Sequence, residues 1–249
     1  MKIIEAQDYG DLSLKAAQYV IAKVKEKSNI VLGLATGSTP EGTYKEIIRD
    51  FNDHHTSYRY VRSVNLDEYV GLSKDHPNSY HTYMFENLFR HLDLPEDQRF
   101  LPDGNAEDLE DECRRYDRLI QSLGGVDLQL LGIGQNGHIG FNEPGTTFDQ
   151  RTHTVALTRS TRKANARFFN SINEVPAHAL TMGIRSILDS KEILLLASGK
   201  SKAEAIDRLL RNQKIDQDFP ASSLHKHSNV IIIADRDALS IADDNERRA

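Results

Sequence analysis

The feature that most constrains the fold is a set of short apolar runs without polar alternation: "NIVLGLA" from Asn29, "VDLQLLGI" from Val126, "EILLLAS" from Glu192 and "NVIIIAD" from Asn229. A strand with one wet face alternates apolar and polar residues. Runs like these must instead be covered on both faces, as in a parallel sheet with helices above and below. Between them lie segments with apolar residues at helical spacing, such as "LSLKAAQYVIAKVKEK", "PEGTYKEIIRDF", "NSYHTYMFENLFRHL" and "KSKAEAIDRLLRN", with "YVRSVNL" as a further strand. The pattern predicts a doubly wound, mainly parallel α/β sheet with helices on both faces, Rossmann-like in class. No fixed-period repeat and no low-complexity linker interrupts it, so a single domain over residues 1–249 is expected. Ligands of such folds lie beyond the carboxyl ends of the strands, which directs attention to the loops that follow each run.

Composition narrows the function classes. With 31 Lys and Arg against 37 Asp and Glu, the formal charge is −6, which argues against nucleic acid as a partner but leaves room for a local cationic pocket. The start, "MKIIEAQDYG", is acidic where a signal peptide would be apolar, and no run approaches the length of a membrane span. A cytoplasmic protein with no membrane partner is expected. Cys113 is the single cysteine and lies in a polar, helix-like segment, so it is read as a reduced thiol.

The first loop, "GLATGSTPEG" from Gly33, leads from strand to helix, with Ser38 or Thr39 as the expected cap and Pro40 in the first turn. Free N–H groups at the helix start, the helix dipole, and the Thr36, Ser38 and Thr39 hydroxyls suit a phosphate, and Gly37 lets the backbone come close. The stretch lacks the Gly-Lys-Ser/Thr of a Walker A loop and is not GxGxxG, so nucleotide binding is not implied. Arg167 and Lys202 are the candidate cations; Lys202 follows another strand and opens another helix.

The second loop, "SVNLDEYVG" from Ser63, places Asp67 and Glu68 at a strand's end. Adjacent side chains there point in different directions, so at most one faces the pocket, and Asp67 is the one assigned to it, as a general base toward a carbon acid. The third, "GIGQNGHIGFNEPG" from Gly132, combines glycines with Asn136, His138 and Glu143. His138 can exchange a proton near neutral pH, and Glu143 can orient or charge-couple the imidazole. HExxH, paired cysteines and GxSxG are all absent, which argues against a dedicated metal site or an esterase.

The residues alone therefore lead to an α/β enzyme acting by acid/base chemistry on a small phosphorylated compound. Taken together and in order, "GLATGSTP", "NLDEYVGL", "GIGQNGHIGFNEP" and "RFF" closely resemble glucosamine-6-phosphate deaminase over nearly the whole chain. The resemblance implies conversion of glucosamine 6-phosphate and water to fructose 6-phosphate and ammonia, with no cofactor. It implies that Asp67 moves a proton between C2 and C1, and that His138, assisted by Glu143, opens the ring. Phosphate would be held by Thr36, Gly37, Ser38, Thr39, Arg167 and Lys202. Asn136 departs from the Asp that many members carry; as an amide it is expected to hydrogen-bond and orient rather than to bear charge. Longer members are allosteric hexamers with basic residues after the NEP motif. Here "RTHTVALT" offers His153 and Val155 instead, so a non-allosteric monomer is expected. The rival readings are a 6-phosphogluconolactonase-like hydrolase, which the Asp-bearing strand end and "HIGFNEP" do not resemble, and a non-catalytic sugar-phosphate sensor. The roles of His225 and His227 in "SSLHKHSN" stay open at this point.

Overall fold

The computed structural model describes residues 1–166 and 169–246. Its frame is a seven-stranded sheet of order β1-β10-β9-β6-β2-β3-β5, in which every pairing is parallel. The strands are β1 (Lys2–Ala6), β2 (Val31–Leu34), β3 (Arg62–Asn65), β5 (Arg99–Phe100), β6 (Leu128–Gly132), β9 (Ile193–Ala197) and β10 (Val230–Asp235). The apolar runs supply its centre. β1 escapes the sequence pattern because, as an edge strand, it leaves Ile3 exposed.

Unbroken hydrophobicity has the expected cause. Along β9, Ile193 and Leu195 face one core while Leu194 and Leu196 face the other. The first core is closed by α4 (Leu109–Ser122), α7 (Ala203–Arg211) and α8 (Arg236–Glu246), through side chains such as Tyr116, Ile206 and Leu239. The second is closed by α1 (Tyr9–Glu26), α2 (Ser38–His54) and α3 (Tyr80–Asn87), through Leu12, Val20, Tyr44, Ile47 and Met84. Each buried Leu or Ile contributes roughly 1.5–3 kcal/mol of transfer free energy, so both faces are needed to hold the sheet.

A second, antiparallel sheet was not legible in the sequence. It joins β4 (Asp67–Tyr69), β8 (His178–Thr181) and β7 (His153–Ala156). Leu66 is the step between the two sheets: its N–H donates to Leu34 of β2 at 3.1 Å, and its carbonyl accepts from Met182, just past β8, at 2.7 Å. In the chain, the short helices α5 (Arg159–Asn165) and α6 (Ile184–Leu188) lie before and after β8. Among the described residues, no helix is long and apolar enough to cross a membrane.

The order of the large sheet also marks a crevice. From β2 the chain builds outward through β3 to β5, then returns to place β6 on the other side of β2 and continues through β9 to β10. The loops after β2 and β6 therefore diverge at the topological switch point, where ligands of open α/β sheets bind.

Candidate active site

Four adjacent strands, β9, β6, β2 and β3, present the sequence-predicted residues at one edge: Lys202 after β9, Asn136 to Glu143 after β6, Thr36 to Thr39 after β2, and Asp67 after β3. Because all four run parallel, every one of these segments emerges at the carboxyl end, with neighbours about 4.8 Å apart.

The turn after β2 differs from expectation in one respect. The N-cap of α2 is Gly37, not Ser38 or Thr39, and its φ of 94° belongs to the left-handed region that glycine alone occupies without strain. Ser38, Thr39 and Pro40 form the first turn, and no side chain caps the helix. The first N–H groups of a helix have no carbonyl partner within the helix itself. Thr36, just before, hydrogen-bonds the Tyr80 side chain of α3.

Asp67 and Glu68 diverge as strand geometry requires. Glu68 turns to the start of α3: its carboxylate accepts from the backbone N–H of Tyr69 (2.8 Å), Tyr80 (2.9 Å) and His81 (3.0 Å), and lies 2.8 Å from His81 Nδ1. It is a structural cap. Asp67 points the other way, toward the loop after β6; one of its oxygens lies 3.8 Å from where a Cβ on Gly140 would sit. Gly140, with φ 57°, keeps that approach open. The Asp67 carboxyl is buried, and the Tyr69, Tyr80 and Tyr116 side chains all feel its charge. Burial, reinforced by the charge of Glu68, pushes it up to about 8.

In the loop after β6, Asn136 stands between His138 and Glu143. Its Nδ2 donates to Glu143 Oε2 at 2.7 Å, and its Oδ1 lies 2.7 Å from His138 Nδ1. An ionised carboxylate only accepts, so the amide nitrogen must face Glu143 and the amide oxygen must face the ring. His138 then carries its proton on Nδ1 and leaves Nε2 with a free lone pair. The direct His138–Glu143 separation is 3.9 Å, so Glu143 charge-couples to the imidazole through space and reaches it by hydrogen bonding only through the amide. Burial holds His138 below its usual value; Glu143 opposes this, and Lys202 adds to it. Lys202, at the N-cap of α7, is thus electrostatically coupled to the same cluster.

Two residues escaped sequence reasoning. Thr161 of α5 donates its hydroxyl to Glu143 Oε1, and Thr158, the cap of that helix, lies 3.4 Å from the same oxygen. Only the capping pattern of "TRST" was visible in the sequence; that it lands on Glu143 depends on the second sheet. Arg167 lies outside the described residues. His225 and His227 bind backbone instead of lining the site: His225 Nε2 is 2.9 Å from the Leu209 carbonyl, and His227 Nε2 is 2.7 Å from that of Ser190.

An anion-suited turn and an acid/base cluster meeting at the switch point of a parallel sheet define a small-molecule enzyme. The chain belongs to the family described as "Glucosamine-6-phosphate isomerases/6-phosphogluconolactonase", whose model matches residues 7–233. It is 59% identical to a glucosamine-6-phosphate deaminase of Geobacillus sp. (strain WCH70), with 100% of this chain and 98% of that one covered. It is 58% identical to glucosamine-6-phosphate deaminase 1 of Bacillus subtilis (strain 168), with 97% and 99% covered. The solved structure of a monomeric glucosamine-6-phosphate deaminase superposes with a TM-score of 0.95 at 58% identity, covering 97% of this chain and 100% of that one. A 6-phosphogluconolactonase from Trypanosoma cruzi shares the fold at a TM-score of 0.77 and 18% identity, covering 96% of each chain.

Proposed function

We propose that this protein converts glucosamine 6-phosphate and water to fructose 6-phosphate and ammonia, as a non-allosteric monomer in the cytoplasm. The observation that carries the reading is Asp67: a buried carboxyl at the switch point, aimed at the loop that holds His138, with its proton affinity raised toward the working pH. Full-length identity to deaminases supports the substrate.

In this reading the Thr36–Thr39 turn, Lys202 and Arg167 hold the phosphate. His138 takes a proton at Nε2 from the ring-form anomeric hydroxyl and returns it to the ring oxygen, so the sugar opens. Glu143 balances the imidazolium, to which Asn136 links it. Ionised Asp67 then removes the C2 proton of the open-chain amine and delivers it to C1. The resulting ketimine adds water at C2 and expels ammonia. No step calls for a cofactor.

The monomeric, non-allosteric part rests on "RTHTVALT". His153 in β7 hydrogen-bonds the Arg151 carbonyl through Nδ1 (2.9 Å), and burial holds it below its usual value, so it is a neutral ring rather than a cation for an effector phosphate. The monomeric structural neighbour agrees with this.

The test is to incubate the purified protein with glucosamine 6-phosphate and follow ammonia and fructose 6-phosphate. Stoichiometric release of both, on a hyperbolic rate curve that N-acetylglucosamine 6-phosphate does not alter, is the expected outcome. Hydrolysis of 6-phosphogluconolactone without ammonia release from the amino sugar would overturn the reading.

A further inference from the structure

Three tyrosine hydroxyls, from three different helices, end on carbonyl oxygens of the turn after β2. Tyr44 of α2 donates to Ala35 at 2.5 Å, Tyr83 of α3 to Gly37 at 2.7 Å, and Tyr9 of α1 to Ser38 at 2.8 Å. The Tyr9 contact is unusual in kind. In an α-helix the N–H of Gly42 would donate to the carbonyl of Ser38, four residues back. Here the Tyr9 hydroxyl joins both groups of that pair, accepting from the Gly42 N–H and donating to the Ser38 carbonyl, each at 2.8 Å. A side chain of α1 thus clasps the first turn of α2.

A trans peptide is planar, with its C=O and N–H pointing in opposite directions. Fixing the carbonyl of Ala35 therefore fixes the N–H of Thr36, fixing that of Gly37 fixes the N–H of Ser38, and fixing that of Ser38 fixes the N–H of Thr39. The last two are helix-start donors that the phosphate reading assigns, and Thr36 is the residue whose hydroxyl it adds to them. Gly37 itself, with φ 94°, supplies no steric preference of its own to hold the turn in this shape.

The geometry points to Tyr9 and Tyr83 as positioning residues that aim the backbone N–H groups of the turn at the substrate's phosphate. The inference rests on the proposed phosphate site. Neither hydroxyl touches the reacting carbons, so they govern substrate affinity and leave the chemical step alone. Tyr44 belongs to the same set but is fully buried in the core, whereas Tyr9 is 39% exposed. Tyr9→Phe and Tyr83→Phe are therefore the informative variants.

Each single variant is expected to raise KM for glucosamine 6-phosphate and the inhibition constant of inorganic phosphate together, by about three- to tenfold, the loss of one neutral hydrogen bond. The double variant should raise both by roughly the product of the single effects, with kcat within about twofold of the parent. A lowered unfolding midpoint with unchanged KM and phosphate inhibition would overturn the inference, since the hydroxyls would then only brace helix packing. So would a fall in kcat at unchanged KM. If the double variant folds poorly, the two singles decide. The parent protein distinguishes this failure from that of the underlying reading: should inorganic phosphate fail to inhibit it, and glucosamine serve as well as its 6-phosphate, the turn holds no phosphate and both proposals fall.

Discussion

Two aspartates at opposite ends of the same sheet meet opposite fates. At the amino edge, Asp127 precedes β6 and receives Lys27 and Lys191, each at 2.7 Å, and the N–H of Val31 at 2.8 Å. Burial works against its charge, but the hydrogen bonds from Lys191, Lys27 and Val31 outweigh it and hold the carboxyl below its usual value. At the carboxyl edge, Asp67 is buried next to another carboxylate and is held well above its usual value, at about 8. One end of the sheet surrounds its aspartate with donors and is stabilised by its charge. The other withholds compensation and keeps a group that can take up or release a proton near neutral pH. The difference is one of surroundings, since both are aspartates flanking central strands.

The contrast can be broken by experiment, and Asp67→Asn should do so most forcefully. It is expected to cut turnover on the order of 10^3-fold with phosphate inhibition retained, because the base is lost and the anion contacts are not. The same variant should gain stability. An unfolded aspartate ionises near 4 while the folded one resists until about 8, so its favourable contribution, complete below 4, is lost as pH rises through that window. Urea midpoints of parent and variant should diverge between pH 4 and pH 8, with the variant higher; parallel midpoints would remove Asp67 as a buried, destabilised acid.

Next in size is the pH profile of the parent. If Asp67 must be ionised to act, kcat/KM should fall about tenfold per pH unit below an apparent pKa near 8. A flat profile from pH 6 to pH 8 would assign the base elsewhere.

Asp127→Asn is the reciprocal change. It should cost about 1–2 kcal/mol of stability through two exposed lysine partners and one backbone bond, with kcat and KM unaltered. Its carboxyl is lowered, so its contribution is present above the usual carboxylate range and lost in acid, opposite in sign to that of Asp67. The smallest effect should come from Thr161→Val, which removes one donor from Glu143: a three- to tenfold loss in kcat, restored in Thr161→Ser. Equal kinetics in the valine variant would show that the Thr161 hydroxyl is not needed to hold Glu143.

The sequence announced the central strands because each is buried on both faces, which favours apolar side chains without alternation. It also separated Asp67 from Glu68, since alternation along an extended chain is local geometry. It placed the helix cap one or two residues late, at Ser38 or Thr39, because Gly37 works through backbone torsion and carries no capping oxygen to be recognised. The second sheet was invisible for a related reason. "DEY", "HTVA" and "HALT" are too short and too mixed to signal strands, and they pair only because Leu66 delivers one of them beside β8.

What the sequence determined by itself, then, is the sheet and the identity of the loops at its carboxyl edge, because periodicity and turn chemistry depend on neighbours along the chain. The tertiary structure alone decided that Glu143 reaches His138 through Asn136, that Thr161 holds Glu143 from another element, and that Asp67 is short of compensating donors. Those facts depend on which residues distant in the chain become neighbours in space. Burial and hydrogen bonding, which set the chemistry of a side chain, come into being only when the packing is complete.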